Sequence, residues 1–425
     1  MSNKLFLGIV GDDFTGSSDA ASFAVKSGLK TMLFDGIPSD IDLEKEGIQA
    51  AVIALKSRMA PVAEAKEQSL AAAKWLVEHG AQHIYSKYCS TFDSTPKGNI
   101  GPILDNFLEG FEAKASIICP ALPVNGRIVK DGILYINGVP LAESPMKNHP
   151  LTPMWDSSLK NLMEAQSSYK CFNVPHDVLY DEEKLKALIK NIEKDNEHYY
   201  LIPDYENDTD ASQIAKVFGD MFIQSGGSGV LTALGEYYLK KEGATLGVSH
   251  IPNSKTDGKA LLLAGSCSVA TQKQIKTFKE SGNQVIKIDA HKLMSGELTA
   301  KDLWRDYKSA KGYCLIYSTA PAEEVAALQK QYGTEKLAHK IELTMNELTK
   351  LAFADGFTRF IVAGGETSGA VIKGLPQDGY VIGESVAPGV PVMVPSKHPN
   401  VRLVLKSGNF GDEYFFEKAI KMTGE

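Results

Sequence analysis

The first strand of this chain ends in two carboxylates. An apolar run from Leu5 to Val10 breaks at Gly11, Asp12 and Asp13, and the small residues after it begin a helix. A strand that turns directly into a helix is typical of an open α/β sheet, whose ligands bind at the carboxyl ends of the strands. Because neighbouring residues of an extended chain point to opposite sides, we expect one aspartate to face a substrate hydroxyl and the other to hold the loop. The alternative is that both aspartates only cap the turn and the helix.

Length and charge restrict the class of protein. A chain of 425 residues favours two or more domains, and 43% hydrophobic with 23% charged residues is the balance of an ordinary globular protein. The formal net charge of −7 disfavours non-specific binding to nucleic acid, which needs a basic surface. An anionic small ligand needs only a local positive site and is compatible with this charge.

The cysteines and the apolar runs indicate the compartment. The five cysteines are scattered, odd in number and without a CxxC pair, so we expect neither a disulfide framework nor a zinc site, and a reducing compartment. Cys89 and Cys267 lie in candidate ligand loops, where we expect small buried filler rather than nucleophiles. No run reaches the roughly 18 apolar residues of a membrane span, and Asp12 and Asp13 interrupt the first apolar run too early for a signal peptide. We therefore expect a cytoplasmic protein.

Strand and helix patterns alternate along the chain, which predicts two α/β domains with mainly parallel sheets flanked by helices and a ligand cleft between them. The segment from Pro120 to Pro153 is irregular and holds a predicted hairpin, whose strand Ile133–Ile136 ends at the turn dipeptide Asn137-Gly138. A long excursion of this kind is usually functional. In the first half we predict strands near 5–10, 31–34, 51–55, 83–87, 115–118, 170–173 and 199–202, and helices near 17–28, 61–79, 99–109, 181–193 and 228–241.

A polar segment separates the two predicted domains. Residues 247–258 are rich in turn-forming residues, so we place a substrate-binding domain at 1–246, a linker at about 247–257 and a second domain at 258–425. In the second domain we predict a helix at 270–281 and strands at 260–264, 284–288, 313–317, 360–363 and 401–405.

Three glycine-rich loops in the second half come after apolar strands, and we expect each to open a helix. Free backbone N–H groups beside the positive end of a helix suit phosphate oxygens, and glycine lets the backbone approach the ligand. Three such loops favour a nucleotide site, and the alternative is three tight turns. The loops are Gly265–Ser268 with Thr271 and Gln272 in the helix start, Gly364–Gly369, and Ser407–Gly411.

Two nucleotide-binding signatures are missing from the sequence. The chain contains no GxxxxGK[ST], which disfavours a Walker-type NTPase. It has no GxGxxG after the first strand, and Gly226-Gly227-Ser228-Gly229 lacks that spacing, so a Rossmann dehydrogenase is disfavoured.

A polar loop in the first half, Lys87–Asn99, holds many hydroxyl groups, two lysines and one carboxylate. Lysines suit a carboxylate, and Ser, Thr, Asp and Asn suit hydroxyls, so the loop favours a polyhydroxylated anion. Arg127 could hold the carboxylate with two hydrogen bonds, and His149 could reach the same cleft. The alternatives are a solvated Lys97 and a loop histidine that is bonded to backbone groups.

Five segments together resemble the four-carbon acid sugar kinase family. The resemblance runs through both halves of the chain, and it implies an amino-terminal domain that binds the acid sugar and a carboxyl-terminal domain that binds ATP. The segments are Gly11–Gly16 (GDDFTG), Cys119-Pro120-Ala121 with Asn125-Gly126-Arg127, Gly265–Ser268, Gly364–Gly369 and Ser407–Gly411.

The loop Lys87–Asn99 narrows the resemblance to one branch. Family members that act on threonate or erythronate tend to carry Lys-x-Asp-Ser-Thr-x-Arg-Gly-Asn. This chain has Lys97 in place of the arginine and extra residues between Lys87 and Asp93. The longer form is similar to the branch that phosphorylates 3-oxo-tetronates on the terminal (C4) hydroxyl in sugar-acid catabolism, and implies that activity. The alternative within the family is a D-threonate or D-erythronate 4-kinase with an atypical loop.

The resemblance also implies roles for single residues. Either Asp12 or Asp13 accepts the proton of the C4 hydroxyl or orients that hydroxyl. Lys87 and Arg127 hold the substrate carboxylate, while Asp93 and Asn99 bind hydroxyls. The full substrate-binding set is Lys87, Ser90, Asp93, Ser94, Lys97, Asn99 and Arg127, and the ATP-binding set is Ser266, Ser268, Gly364, Gly365, Glu366, Thr367, Gly408, Asn409 and Gly411.

The expected cofactors are ATP and Mg²⁺. Magnesium travels with ATP and needs few protein ligands, so no residue is assigned as a metal ligand. Glu366 could touch the ion through water, or it could interact with the dipole of the helix it begins. The expected partners are a small sugar acid and ATP, with neither nucleic acid nor membrane, and a homodimer is the candidate assembly.

Two interpretations from other classes compete with a kinase. One is a non-catalytic sensor of a sugar acid or a nucleotide, which consumption of MgATP that requires a sugar acid would exclude. The other is an oxidoreductase that binds a dinucleotide at the glycine loops. The missing GxGxxG weighs against it, and lack of binding to NAD or NADP would exclude it.

Overall fold

A computed structural model describes residues 4–39, 41–148, 152–243, 251–375 and 379–424. The chain divides into two compact units, Met1–His250 and Ile251–Glu425. The predicted linker 247–257 falls in part, at 247–250, on residues outside the described ranges, and the predicted site residue His149 falls there as well. The domain bounds drawn from the sequence stay a prediction.

Strands and helices alternate through the first unit. Strands β1 and β3 are buried along their whole length, as apolar strands of a parallel sheet with helices on both faces must be. The elements are β1 (Leu7–Gly11), α1 (Phe14–Lys26), β2 (Thr31–Asp35), β3 (Ala50–Ala54), α2 (Val62–Glu78), β4 (His83–Lys87), α3 (Ile100–Gly110), β5 (Ala115–Ile117), β6 (Arg127–Lys130), β7 (Ile133–Ile136), β8 (Val139–Pro140), α4 (Leu159–Glu164), β9 (Lys170–Val174), α5 (His176–Leu179), α6 (Glu182–Ile192), β10 (Tyr199–Pro203), α7 (Asp208–Phe218), β11 (Ile223–Gly226) and α8 (Leu231–Lys241).

Five parallel strands form the main sheet of this unit, in the order β11-β4-β1-β3-β2. Strands β2 and β3 lie on one side of β1, while β4 and β11 lie on the other. The direction of winding therefore reverses at β1, and such a reversal opens a crevice at the carboxyl ends of the strands. Asp12 and Asp13, directly after β1, lie at this point.

Two smaller sheets complete the first unit. Strands β5-β10-β9 are parallel, whereas β6-β7-β8 are antiparallel and lie in the excursion predicted at 120–153. The predicted turn at Asn137-Gly138 joins β7 to β8, and its residues have φ of 50° and 80°, as a type I′ turn requires. A further hairpin turn at Asp131-Gly132, which the sequence prediction lacks, joins β6 to β7.

The second unit contains the longest helix of the described residues. Its helix α13 has 21 residues and is preceded directly by a shorter helix, α12. The elements are β12 (Ala260–Ala264), α9 (Val269–Glu280), β13 (Gln284–Lys287), α10 (Ala290–Ser295), α11 (Ala300–Ser309), β14 (Cys314–Tyr317), α12 (Ala322–Tyr332), α13 (Thr334–Ala354), β15 (Arg359–Ala363), α14 (Gly365–Gly374), β16 (Tyr380–Ala387), β17 (Val390–Pro395), β18 (Arg402–Lys406) and α15 (Phe415–Thr423).

The strands of the second unit have the order β16-β17-β18-β15-β12-β14-β13. The five strands from β18 to β13 are parallel, whereas β17 runs antiparallel to both β16 and β18. Leu262, Ile361 and Val404 from three neighbouring strands share one buried cluster with Phe278 of α9 and Phe416 of α15. This core fixes the strands whose ends carry the glycine loops.

The predicted fold class is confirmed, because each unit is α/β with a mainly parallel sheet flanked by helices. The sequence prediction missed the antiparallel strands β16 and β17, and it placed no element between 318 and 359, where α12 and α13 lie. The apolar residues of these two helices form narrow stripes, which a search for buried strands passes over. Within the described residues, the structure has no helix whose length and apolar character suit a membrane crossing.

Candidate active site

Three strand ends converge in the first unit. Gly11, the last residue of β1, pairs with Ala54 of β3 on one side and with Lys87 of β4 on the other. The backbone N–H of Asp12 donates to the carbonyl of Lys87 at 3.1 Å, and the N–H of Arg58 donates to the carbonyl of Asp12 at 3.3 Å. The register of the sheet thus brings residues 12, 58 and 87 to one edge, which we call the first edge.

Arg58 binds both aspartates of the first edge. Its Nε and Nη2 donate to the two carboxylate oxygens of Asp12 at 2.8 and 2.9 Å, and Nη2 lies 2.9 Å from Oδ2 of Asp13. The fork of a guanidinium matches a carboxylate in this bidentate way. Burial disfavours the charged guanidinium, but the two carboxylates outweigh burial and hold the pKa of Arg58 well above its ordinary value. Arg58 is therefore a fixed positive charge of this edge.

The predicted divergence of Asp12 and Asp13 is wrong. The chain bends directly after β1, so both carboxylates turn towards the same guanidinium instead of opposite sides. Oδ1 of Asp13 also accepts from the N–H of Gly16 at 2.5 Å and caps α1, as the alternative interpretation expected of both aspartates. Asp12 instead uses both oxygens on Arg58.

A small cavity beside Arg58 brings together Asp12, Lys87, Asp93, Ser94 and Asn99, all predicted from the sequence. Lys87 is 3% exposed, and its Nζ donates to the carbonyl of Tyr88 at 2.8 Å. The cavity combines a buried ammonium and a guanidinium with carboxylate and hydroxyl groups. Such a set suits an anion that carries hydroxyls or carbonyls.

Asn99 supports the segment that carries Arg58. Its Nδ2 donates to the carbonyls of Ser57 and Ala60 at 2.7 and 2.8 Å and to that of Arg58 at 3.3 Å. Its Oδ1 is buried and has no partner among the described residues. The amide nitrogen is therefore engaged with the protein, and a hydroxyl-binding role for Asn99 depends on Oδ1 alone.

Ser90, Lys97 and Arg127 do not line this cavity. Lys97 is exposed, in line with the interpretation of a solvated lysine. Ser90 is half-buried, and a Cβ placed on Gly227 would lie 3.4 Å from the Ser90 Cβ. Arg127 donates from Nη1 to the carbonyl of Asn125 at 2.5 Å, while its Nε is buried without a partner in the described part of the chain.

A buried carboxylate, Asp19 of α1, interacts electrostatically with both Lys87 and Arg127. Oδ2 of Asp19, in α1, accepts from the hydroxyl of Ser228 at 2.5 Å, and Oδ1 has no partner among the residues that the structure describes. Burial raises the pKa of Asp19, and the charge of Lys87, the Ser228 hydrogen bond and the charge of Arg127 offset this only in part. The two residues predicted to hold a carboxylate thus share one acidic neighbour.

Glycines 226–229 pack closely against the Cys119-Pro120-Ala121 segment. A Cβ on Gly226 or Gly229 would lie 2.1 or 2.3 Å from the carbonyl oxygens of Cys119 and Ala121. The two segments therefore pack backbone to backbone, which only glycine allows. This packing holds Ser228 against the carboxylate in α1.

Three strand ends also converge in the second unit. Ala264 of β12 pairs with Ala363 of β15, which in turn pairs with Lys406 of β18. The N–H of Gly265 donates to the carbonyl of Ala363 at 2.9 Å, and the N–H of Gly364 donates to the carbonyl of Lys406 at 2.8 Å. The three predicted glycine loops therefore lie together, at an edge that we call the second edge.

The glycine loops of the second edge pack on one another. A Cβ on Gly265 would lie 2.1 Å from the hydroxyl of Thr367, and a Cβ on Gly408 would lie 2.1 Å from Oγ of Ser266. The hydroxyl of Ser268 donates to the carbonyl of Gly408 at 2.7 Å, and its oxygen caps α9. Ser268, predicted to bind ATP, thus also joins two of the loops.

The three loops lead into different structures. Helix α14 begins directly at Gly365 without a side-chain cap, so its first backbone N–H groups are free of a capping side chain. Helix α9 is capped by Ser268. The prediction that every loop opens a helix is wrong for 407–411, because Gly411 turns the chain with φ of 76° and α15 begins only at Phe415. The second loop is the best anion-binding position of the three.

Lys406 connects the end of β18 to these loops. Its Nζ donates to the hydroxyl of Thr271 at 3.1 Å and to the carbonyls of Ser407 and Gly408 at 3.0 and 2.9 Å. Burial lowers the pKa of Lys406 to about 7. Its amine is therefore close to its titration midpoint at neutral pH.

The cysteines of the two edges differ. Cys267 is exposed, so the expectation of buried filler is wrong there, and Glu366 and Asn409 are exposed at the same edge. Cys89 packs against the hydroxyl of Thr91, and burial raises its thiol pKa to about 12, which keeps it protonated. The five cysteines of the chain are all free.

The sequence prediction missed three charged residues of these edges, namely Arg58, Asp19 and Lys406. Arg58 comes after an apolar strand and Lys406 ends one, which is the same signal that pointed to Asp12. Asp19 lies inside a helix, where no local pattern distinguishes it from a solvated residue.

Two family models match this chain, one in each of its two units. The model of a sugar-binding N-terminal domain matches residues 7–234, and the model of a nucleotide-binding C-terminal domain matches residues 261–416. The first range contains the first edge, and the second contains the three glycine loops.

Relatives match over nearly the whole chain. A 3-oxo-tetronate kinase from Brucella melitensis is 38% identical over 423 residues, which cover 99% of this chain and 96% of the relative. A 3-oxo-tetronate kinase from Haemophilus influenzae is 40% identical over 421 residues, with 97% and 98% covered. A solved structure from Salmonella typhimurium LT2 has a TM-score of 0.87 at 38% identity, and 98% of each chain is covered.

Geometry and similarity agree on both halves of the molecule. A charged edge lies where the sugar-binding model matches, and a glycine-lined edge lies where the nucleotide-binding model matches. With full-length relatives at 38% and 40% identity, the chain belongs to the four-carbon acid sugar kinase family.

Proposed function

We propose that the protein transfers the γ-phosphoryl group of MgATP to the C4 hydroxyl of a 3-oxo-tetronate, giving 3-oxo-tetronate 4-phosphate and ADP. The choice of substrate depends on one observation, which is that relatives named 3-oxo-tetronate kinase match at least 97% of the chain. The two edges support the reaction, because one carries cations and carboxylates for a sugar acid and the other carries glycine loops for phosphates.

The proposed transfer breaks the bond between the γ-phosphorus and the β,γ-bridging oxygen and forms a bond between that phosphorus and the C4 oxygen. ADP leaves, and the hydroxyl proton passes to a carboxylate. Catalysis of such transfers depends mainly on positioning and on stabilising charge. Asp12 or Asp13 accepts the proton or orients the hydroxyl, and Arg58 holds both carboxylates in place.

The proposed substrate site combines cations with carboxylate and amide oxygens. Lys87 and Arg127 are assigned to the substrate carboxylate, and Asp93 and Asn99 to its hydroxyls. This set accommodates a 3-oxo group as well as a hydroxyl at C3, so the choice between them rests on the relatives.

The proposed ATP site uses backbone groups. The free N–H groups at the start of α14, with Ser266 and Gly408 from the neighbouring loops, lie against the phosphates. Magnesium would travel with ATP and would need few protein ligands. Glu366 would reach the ion through water, or it would act on the helix dipole instead.

An ADP-release assay with MgATP tests the proposal. The panel contains D- and L-threonate, D- and L-erythronate, and 3-oxo acids formed in the cuvette by a dehydrogenase. Release only with the oxo acids supports the proposed substrate. Release with the plain tetronates moves the substrate to the aldonate branch and leaves the kinase activity in place.

If no acid of the panel causes ADP release, the result contradicts a tetronate kinase and favours a non-catalytic sensor. Titration with NAD and NADP closes the remaining alternative, since an oxidoreductase requires that one of them binds. We expect neither dinucleotide to bind, because the glycine loops lack the GxGxxG spacing.

A further inference from the structure

The turn that follows β4 has a backbone conformation that bulky residues rarely adopt. The N–H of Phe92 donates to the carbonyl of Cys89 at 2.9 Å, which closes a turn over residues 89–92. Phe92 has φ of 50°, in the left-handed region, although its side chain is aromatic. Its ring is 0% exposed and packs edge-on against the ring of Tyr88, with the centroids 5.4 Å apart. Packing of this ring therefore holds the turn in a strained conformation, as is common at functional sites.

The same turn lines up three polar groups. The hydroxyl of Thr91 donates to Oδ1 of Asp93 at 2.5 Å, and Sγ of Cys89 lies 2.9 Å from that hydroxyl oxygen. A hydroxyl has one proton, so Thr91, which gives its proton to the carboxylate, accepts from the thiol of Cys89. Thr91 is 5% exposed, so water does not compete for this bond. One oxygen of Asp93 is therefore fixed by a short, charge-assisted hydrogen bond.

The other oxygen of Asp93 is free to bind a ligand. Asp93 lines the cavity beside Arg58, and its Oδ2 makes no hydrogen bond within the ranges of the chain that the structure describes. Because Thr91 holds Oδ1, the carboxylate does not exchange its two oxygens, and Oδ2 is the acceptor that Asp93 presents to a ligand. A hydroxyl is the ligand group that such an acceptor suits.

A 3-oxo-tetronate has two hydroxyls, at C2 and at C4. The C4 hydroxyl receives the phosphoryl group at the two aspartates after β1, and C2 adjoins the carboxylate that is assigned to Lys87 and Arg127. We propose that Thr91 is a positioning residue and a determinant of specificity, which holds Asp93 so that Oδ2 accepts the hydrogen bond of the C2 hydroxyl. This inference rests on the proposed function, because it takes a four-carbon sugar acid as the substrate.

Two variants of Thr91 and one substrate analogue test this role. Thr91→Val removes the hydroxyl and keeps the branched shape, whereas Thr91→Ser keeps the hydroxyl. The matched control is Thr95→Val in the same loop, because the Thr95 hydroxyl accepts from the N–H of Lys97 at 3.2 Å and Thr95 does not line the cavity. The analogue is 4-hydroxy-3-oxobutanoate, which is the 3-oxo-tetronate without its C2 hydroxyl. The kcat/KM of every protein is measured for both acids.

We expect the wild type to use the parent acid better than the analogue by a factor of about ten or more. Thr91→Val should lose about tenfold in kcat/KM for the parent acid and almost nothing for the analogue, because only the parent acid has a C2 hydroxyl. Thr91→Ser and Thr95→Val should behave as the wild type does. If Thr91→Val leaves the ratio between the two acids unchanged, or if the wild type uses both acids equally, the inference is overturned.

A double-mutant cycle shows whether Thr91 acts through Asp93. Asp93→Asn removes the charge of the acceptor and should lower kcat/KM for the parent acid by a factor of about ten or more. Adding Thr91→Val to Asp93→Asn should then cost little more, since the effects of residues that act as one unit do not add. Two fully additive losses would contradict a role of Thr91 through Asp93.

The same assays separate this inference from the proposed function. If the wild type phosphorylates the 3-oxo acid but Thr91→Val loses equally with both acids, the reaction stands and the role of Thr91 fails. If the wild type phosphorylates a plain tetronate instead, the proposed substrate fails. The role of Thr91 is then decided by comparing that tetronate with 3,4-dihydroxybutanoate, which is its form without the C2 hydroxyl. A wild type that phosphorylates none of these acids overturns both.

Discussion

The two edges of this protein recognise ligands by different means. At the first edge the groups are charged side chains, with Arg58 bonded to Asp12 and Asp13 and with Lys87 buried beside them. At the second edge they are backbone N–H groups of glycine loops, next to an apolar cavity. Both edges lie at the carboxyl ends of parallel strands, where the direction of winding reverses. Ligands of open α/β sheets bind at this position, and here it carries charged side chains in one unit and backbone N–H groups in the other.

This difference predicts how each edge fails. A side-chain site fails when a charge is removed, because its partners are left unpaired. A backbone site tolerates most changes of side chain but fails when a Cβ is added where glycine is required. Loss of charge should therefore disable the first edge, and gain of a methyl group should disable the second.

The largest effect is expected from Arg58→Met. It removes the donors that hold both aspartates, so we expect kcat/KM for the sugar acid to fall by roughly 10²–10³-fold or more. The loss of stability should stay below the roughly 3–5 kcal/mol of a fully buried pair, since the Arg58 side chain is 24% exposed. Steady-state kinetics and denaturant unfolding measure the two quantities.

Two variants sharpen the Arg58 result. Arg58→Lys keeps the charge but not the fork, and should recover only part of the activity. Lys97→Met removes an exposed lysine of the predicted loop and should leave kcat/KM close to the wild-type value. If Lys97→Met is the more damaging change, Lys97 binds the substrate and Arg58 is not the central charge of the site.

The next effect separates the two aspartates. Asp12→Asn and Asp13→Asn each keep the size of the side chain, and asparagine at 13 still caps α1. We expect kcat to fall by roughly 10²-fold, the lower end of what loss of a general base costs, for the residue that takes the C4 proton, with a smaller change for the other. Two variants with nearly normal turnover would remove both aspartates from the chemistry.

At both edges, the residues that could be predicted from the sequence are those with a local signal at the end of an apolar strand. Each glycine loop is a local signal, since an apolar strand followed by glycine and small residues identifies itself within about ten residues. Asp12 and Lys87 were found in the same way, at the ends of apolar runs. The structure brings both of them to the first edge beside Arg58.

Contacts between residues that are distant in the sequence could not be predicted from local patterns. The divergence of Asp12 and Asp13 depended on the strand continuing, but the chain bends after β1 and a distant arginine draws both carboxylates together. The apolar cavity is lined by residues from Gly265 to Thr367, and only the sheet order shows that they meet. Asp19 and Ser228 are likewise joined by packing alone.

A smaller effect on activity is expected from Gly364→Ala. Gly364 has φ of 126°, and a Cβ there would lie 3.0 Å from the backbone nitrogen of Ser266. The strain should cost roughly 1–3 kcal/mol of stability and raise the KM for ATP several-fold, with the KM for the sugar acid nearly unchanged. Kinetics with each substrate varied in turn measure this split.

Gly369→Ala is the matched control on the same helix. An added Cβ at Gly369 meets nothing within 4 Å, and the position lies inside α14. Alanine should therefore stabilise the protein by roughly 0.5–1 kcal/mol without changing the KM for ATP. If Gly364→Ala behaves like this control, the backbone at the start of α14 does not hold the phosphates.

The smallest effect on activity, and the clearest on pH dependence, concerns Lys406. Burial lowers its pKa to about 7 in the folded protein, from an ordinary value of 10.5. Between these two values the unfolded chain binds a proton that the folded chain lacks, so this group makes the free energy of unfolding rise with pH, by up to about 1.4 kcal/mol per pH unit. Below pH 7 the folded protein carries the full cost of a buried charge.

Lys406→Met removes this titration, so the rise in the free energy of unfolding between pH 7 and pH 9 should shrink in the variant. Lys421→Met, at an exposed position of α15, should keep the wild-type rise. Denaturant unfolding at several pH values measures both. An unchanged slope in Lys406→Met would mean that the bonds from Nζ to Thr271, Ser407 and Gly408 keep the amine charged, and that the second edge also contains a permanent positive charge. In that case the contrast between a charged edge and a backbone edge would be one of degree, because each would have a buried cation at its centre.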